Sequence, residues 1–192
     1  MRAARLVALV LVGLGVVAYC SWPLEFLVTT GVSPLHDPVG DLLTGHPLFR
    51  GAQVVAGSAF LLAGPPLVRL APVHWTGRLT AGSVSLFGAL VFAYALYPGS
   101  VAISLLTNIT FVVGSCSLVL WWPPGWRESA IIGLVLVVLT WLAVLVAGSL
   151  GPEHFAGLAT RAQHVVRAAQ LVLGALYVLR VTPASRYVPR AG

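Results

Sequence analysis

Charge is what this chain has least of: five acids and eleven basic residues in 192, or 8% of the total. A soluble domain of this size carries about a quarter charged residues. That excludes a water-facing exterior, and the 58% hydrophobic content calls for a lipid-facing one. The size allows one domain. Lysine is missing altogether, since all eleven basic residues are arginine. The net charge of +6 would suit nucleic acid, but most arginines stand singly at the ends of apolar runs. That placement is a topology signal, so no nucleic-acid partner is expected.

Other absences narrow the chemistry. The chain has two cysteines, Cys20 and Cys116. Cys20 lies near the outer end of the first apolar run, whereas Cys116 is about 21 Å down a later helix at about 1.5 Å per residue. A disulfide needs Cα atoms within about 7 Å, so a redox pair is excluded. His36, Asp37, His46 and His164 are acceptable zinc ligands, but no H-E-x-x-H or other compact spacing joins them. No metal and no cofactor is therefore expected. No A-x-A site follows the run Leu6 to Leu24, and Tyr19 before Cys20 does not fit a lipoprotein site. The run reads as an uncleaved first helix with Tyr19, Trp22 and Phe26 at its outer interface. Asn108-Ile109-Thr110 spells a glycosylation acceptor, but within a membrane span it is unusable.

What the chain does have is a series of apolar runs. They predict an all-α polytopic bundle of six transmembrane helices, at about 6–27, 49–70, 79–97, 101–122, 130–150 and 158–180, with a basic tail over 183–192. The second run is rich in small residues, including Gly51, Ala52, Ala56, Gly57, Ala59 and Gly64, and Pro65-Pro66 should kink or end it. The third spaces Ala81, Ser85, Ala89 and Ala93 four apart, a shallow ridge for close packing. Pro98 to Ser100 joins it tightly to the fourth, whose Ser104, Asn108 and Ser115 share a face that should point inward. Trp121 to Ser129 reads as an interfacial belt, and the fifth run is apolar all round apart from Thr140. It should be the most lipid-exposed.

Six spans put both termini on one side. Arg2, Arg5, Arg69, Arg78, Arg127, Arg180, Arg186 and Arg190 fall on that side, against Arg50, Arg161 and Arg167 on the other. Eight against three makes the termini cytoplasmic and the membrane the cell membrane. The acids and histidines run the opposite way: Glu25, Asp37, Asp41 and Glu153, with His36, His46, His154 and His164, gather outside, leaving Glu128 and His74 inside.

Arg167 is the sharpest single feature, about 18 Å above the inner boundary of a hydrocarbon core about 30 Å thick. A charge there costs at least about 2.5 kcal/mol and demands a partner or a water-filled cavity. The expected site is an outward-facing polar cluster of Glu25, Asp41, Arg50, Asn108, Arg161, His164 and Arg167, with the three arginines facing Glu25 or Asp41.

Gly40-Asp41-Leu42, then Gly45-His46-Pro47, then Phe49-Arg50 open the second helix. Tyr97-Pro98 closes the third, and Gly157-Leu158-Ala159-Thr160-Arg161-Ala162-Gln163 opens the sixth. In this order of parts the chain resembles the domain of unknown function 998 family of six-helix bacterial membrane proteins, over about residues 6–180. Members carry an S-E-L-like element, a G-x-P, an F-R and a G-L-x-x-R-x-Q-like start in that sequence. Relatives also carry an acid shortly after F-R and a polar Asp/His pair at the turn between helices three and four. This chain has Gln53 and Pro98-Gly99-Ser100-Val101 there. The family name implies no activity, so no catalytic residue carries over.

Two functions are consistent with these features. One is a non-enzymatic, permease-like or accessory protein whose partners are the bilayer and a lipid or small molecule held in the outer cavity. The other is an intramembrane enzyme acting on a lipid or isoprenoid, with Asp41 or Glu25 as proton donor.

Overall fold

The computed structural model describes residues 2–151 and 154–180. Glu153 and the tail expected over 183–192 lie outside the described residues. Within them the chain is all-helical. The long helices are α1 (Arg2–Tyr19), α3 (Pro47–Leu70), α4 (Trp75–Leu96), α5 (Val101–Trp121), α6 (Arg127–Leu150) and α7 (Ala156–Arg180), and a short α2 (Val39–Gly45) stands between α1 and α3. Six spans, the first formed by α1 together with the turn after it, are long and apolar enough to cross a membrane. The fold is that of a multi-pass membrane protein.

The helices close into a ring. α1 packs on α3 and α7, α3 on α4, α4 on α5, α5 on α6, and α6 on α7. We call the end that carries the start of α1 and the end of α7 the terminal side, and the opposite end the far side. α2 rests on α3 and α7 at the far side. An aromatic chain crosses the core, with ring centroids of Tyr19 and Phe60 6.2 Å apart, Phe60 and Phe87 5.6 Å, and Phe87 and Phe111 5.0 Å.

Small residues set the tightest contact, between α3 and α4. A Cβ at Gly88 would strike the backbone of Leu61 and Gly57, and one at Gly57 would strike Phe92 and Gly88. Close approach of this kind is what small residues permit in membrane helices. Of the expected four-residue ridge on α4, Ser85 sits at this crossing beside Gly88, while Ala81 is buried further along toward the terminal side.

Pro65 and Pro66 do not end α3, which runs on to Leu70. Pro65 has no N–H for the carbonyl four residues back, that of Leu61. The Ser85 hydroxyl donates to that Leu61 oxygen at 3.0 Å, and Gly64 leaves room for it. A neighbouring helix thus supplies the bond the proline removes.

Other boundaries move for local reasons. α1 stops at Tyr19, and Trp22–Phe26, with Pro23 early in it, tightens into a 3-10 turn that turns Glu25 inward. α4 and α6 begin earlier than expected, at Trp75 and Arg127, and α7 begins at Ala156. The α4 to α5 hairpin turns on Gly99 at φ +83°, and the Ser100 hydroxyl caps α5 by accepting from the Ile103 N–H at 3.4 Å. α6 is the least buried span, as its uniform apolarity implies.

Candidate functional site

α7 places Gly157, Arg161, Gln163, Arg167 and Gln170 on its buried face, at helical spacing. The first loop docks on the start of this helix. Gly157 N–H donates to the His36 carbonyl at 3.1 Å and Leu158 N–H to the Leu35 carbonyl at 3.2 Å. Val39 N–H reaches the Thr160 hydroxyl at 3.2 Å. Glycine is required at 157, where a Cβ would lie 2.6 Å from the Pro34 oxygen.

Beneath this latch, Arg161 meets Glu25 as a two-pronged ion pair. Its Nε donates to Oε1 at 2.6 Å and its Nη2 to Oε2 at 2.5 Å. Nη1 donates to the carbonyls of Asp37 at 2.9 Å and Gly157 at 3.0 Å. Every N–H-bearing nitrogen of the guanidinium is used, and both residues are buried. Fork-to-carboxylate geometry with the remaining donors satisfied is the arrangement in which a buried pair is tolerated.

One and a half turns further along, Arg167 has a different environment. Nη2 donates to Asn108 Oδ1 at 2.5 Å and Nη1 to the Tyr19 hydroxyl at 3.2 Å. The guanidinium carbon stands 5.7 Å from the centre of the Phe111 ring. Asn108 Oδ1 also accepts from Gln163 Nε2 at 2.8 Å, while Asn108 Nδ2 donates to the Ser104 carbonyl at 2.8 Å. His164 stacks on Tyr19, centroids 4.6 Å apart, and its Nδ1 lies 2.8 Å from the Thr160 carbonyl, so Nδ1 carries the proton. A void of about 100 Å³ adjoins Arg167, His164, Gln163 and Tyr94.

The structure therefore brings Glu25, Asn108, Arg161, His164 and Arg167 into two adjoining buried groups, and leaves Asp41 and Arg50 out. Arg50 is exposed and donates through Nε to the Ala95 carbonyl at 2.7 Å and through Nη2 to that of Leu96 at 3.0 Å. It caps α4 instead of facing an acid. Asp41 is exposed because α2 buries Val39, Leu42 and Leu43 on its other face. Partial burial, then the nearby Asp37 carboxylate, pushes its carboxyl above the ordinary value. On α5, Asn108 and Ser115 turn inward as expected, whereas Ser104 is exposed.

Tyr19 was expected at the interface and is instead 2% exposed, at the centre of the polar group. Its signal was position: a tyrosine ending an apolar run serves equally as a lipid-interface anchor or as a buried donor.

A much roomier space lies elsewhere. In the terminal half the ring encloses a cavity of about 1430 Å³, walled by the first half of α1, the last turns of α3, the first half of α4 and the second halves of α5 and α7. Its walls are mainly apolar, with Phe87, Phe111, Leu118 and Leu171 among them, and Arg2, Arg5, Arg69 and His74 stand at its rim. Arg5 Nε, Trp122 Nε1 and Gln170 Nε2, three buried N–H donors without a hydrogen-bond partner among the described residues, belong to lining residues. Trp122 was expected in an interfacial belt, yet it is fully buried and stacked on Tyr177 at 4.9 Å.

Comparison with protein-family models, with curated proteins and with solved structures gives no match. The chemistry must be argued from these two spaces alone. The far-side group offers fixed positive charge and hydrogen bonds in a small volume. The terminal cavity offers volume, apolar walls, unmet donors and a basic rim.

Proposed function

We propose that this chain is a non-enzymatic membrane protein that holds a long-chain amphiphile, a lipid with an acidic or phosphate-bearing head, inside its helical ring. The observation that carries the reading is the cavity of about 1430 Å³ with apolar walls and an arginine rim. Ordinary small-molecule sites occupy about 300–1000 Å³ and are likewise mostly apolar with a few polar groups. A larger space of that character suits an alkyl chain. Arg2, Arg5 and Arg69 suit an anionic head, and the three unmet N–H donors suit its acceptor oxygens.

The arginine distribution supports a cytoplasmic terminal side and residence in the cell membrane. In that orientation the rim faces the leaflet where anionic lipids attract basic residues. The motif order supports kinship with the domain of unknown function 998 family. The enzymatic alternative loses its proton donors: Glu25 is committed to Arg161 as a carboxylate, and Asp41 stands on the surface.

Gly174 provides the test. It lines the cavity, and a side chain there would meet nothing within 4 Å. Gly174→Leu fills the space with an apolar side chain and also favours helix. The chain purified in mild detergent is expected to carry a stoichiometric anionic lipid by mass spectrometry. The variant is expected to lose it while melting at the same temperature or higher. Equal lipid content in both proteins would overturn the reading.

A further inference from the structure

Among the described residues, Arg161 has Glu25, whereas Arg167 has no carboxylate within ion-pairing distance. Arg167 is only 5% exposed. It stands eleven residues in from Ala156, the start of α7, which is about 16 Å along the helix axis and near the middle of a hydrocarbon core about 30 Å thick. Its protein partners, the Asn108 amide oxygen and the Tyr19 hydroxyl, are neutral dipoles, and its buried Nε has no partner among the described residues. The other titratable groups at this place add no negative charge. His164, stacked on Tyr19, bears no negative charge, and Arg161 is itself cationic.

A buried charge at this depth requires an opposite charge or a wet cavity. Arg167 lines the void of about 100 Å³, with Ser104, Thr107 and Tyr94 among its other walls. A void needs about 10–15 Å³ open to the centre of a water-sized sphere to hold one water, so this one admits several waters or a small anion among them.

We infer that the void beside Arg167 is a binding site for a small monovalent anion, of the size of chloride or bicarbonate, which neutralises the guanidinium in the membrane interior. This site is separate from the lipid cavity and does not rest on it.

The test is the thermal midpoint of the full chain in an uncharged detergent, with sodium chloride exchanged for sodium gluconate at constant ionic strength. Gluconate is far bulkier than chloride. The midpoint is expected to rise saturably by several degrees with chloride. Asn108→Asp places a carboxylate where Oδ1 now accepts from Arg167 Nη2, so this variant carries its own counter-charge. It is expected to fold and to melt at one temperature in both salts. Arg167→Gln, where it folds, is expected to lose the chloride response as well. Gly174→Leu, altered in the other cavity, is expected to keep it. A wild-type midpoint indifferent to the choice of anion, or an Asn108→Asp protein that keeps the full chloride response, would overturn the assignment.

Discussion

At its far end the ring is filled by long polar side chains of α7, by Tyr19 and by the docked first loop, whereas at its terminal end the helices present Ala8, Gly77, Ala81, Gly114 and Gly174 and leave about 1430 Å³ open. The two ends are built from the same spans with the same connectivity. What differs is side-chain size and polarity within each helix. Arg161 and Arg167 reach across the ring and find partners on the 3-10 turn, α1 and α5. Two turns further along α7, Gly174 and Ala175 reach nothing. A helical ring in lipid is therefore closed or opened by residue choice along a single helix, without any change of topology.

If the far end is braced by its ion pair, breaking the pair should be the most damaging change. Glu25→Gln keeps the shape and removes the charge, leaving the Arg161 guanidinium buried without its carboxylate. Loss of one partner of a buried pair costs about 3–5 kcal/mol. Unfolding of the purified variant by denaturant in micelles is expected to show a loss of that order. The double variant Glu25→Gln with Arg161→Gln is expected to recover part of it. A loss below about 1 kcal/mol would mean that the loop latch, not the ion pair, closes this end.

A smaller effect is expected where a far-side arginine lies outside the buried groups. Arg50 places positive charge and two donors on the last carbonyls of α4. Cations at helix C-termini contribute about 0.3–1 kcal/mol, and this one is exposed. Arg50→Ala should therefore cost less than about 1 kcal/mol by the same measurement and leave lipid content unchanged. If it matched Glu25→Gln, the division between interior and surface arginines drawn from the geometry would fail.

These two arginines also show how far the sequence could be read. The spans, their order and the uniform exposure of α6 are written in the apolar runs, because burial in lipid acts on composition over about twenty residues at a time. Which polar residues meet is a different kind of information. Arg161 and Glu25 are 136 positions apart, and their pairing exists only because the ring closes α7 against α1. Arg50 and Arg161 look alike as isolated far-side arginines, yet one caps a helix and the other is enclosed. Tyr19 turned inward where α1 ends, three residues before Trp22-Pro23. The terminal cavity had no signature at all, since alanines and glycines read equally as close-packing surfaces, which they are at Gly57 and Gly88, or as the walls of a space, which Gly174 is.

The smallest expected effect tests whether Asp41 belongs to the surface. Its carboxyl is pushed above the ordinary value by partial burial and by Asp37, whose own Oδ2 accepts from the Ser33 N–H at 2.7 Å. A folded-state pKa raised above the unfolded one means that the protonated form suits the fold better. Ionised Asp41 then opposes folding slightly at neutral pH, and this opposition fades as pH falls through the folded-state value. Solvent around the exposed carboxylate keeps the effect small. Asp41→Asn removes the charge at every pH, so the variant should melt at or just above the wild-type temperature at pH 7, and the two curves should converge at acid pH. An ion-paired Asp41 would behave in the opposite way: the Asn variant would melt lower at pH 7, and Asp41 would have to be counted with Glu25 among the groups that hold the far end closed.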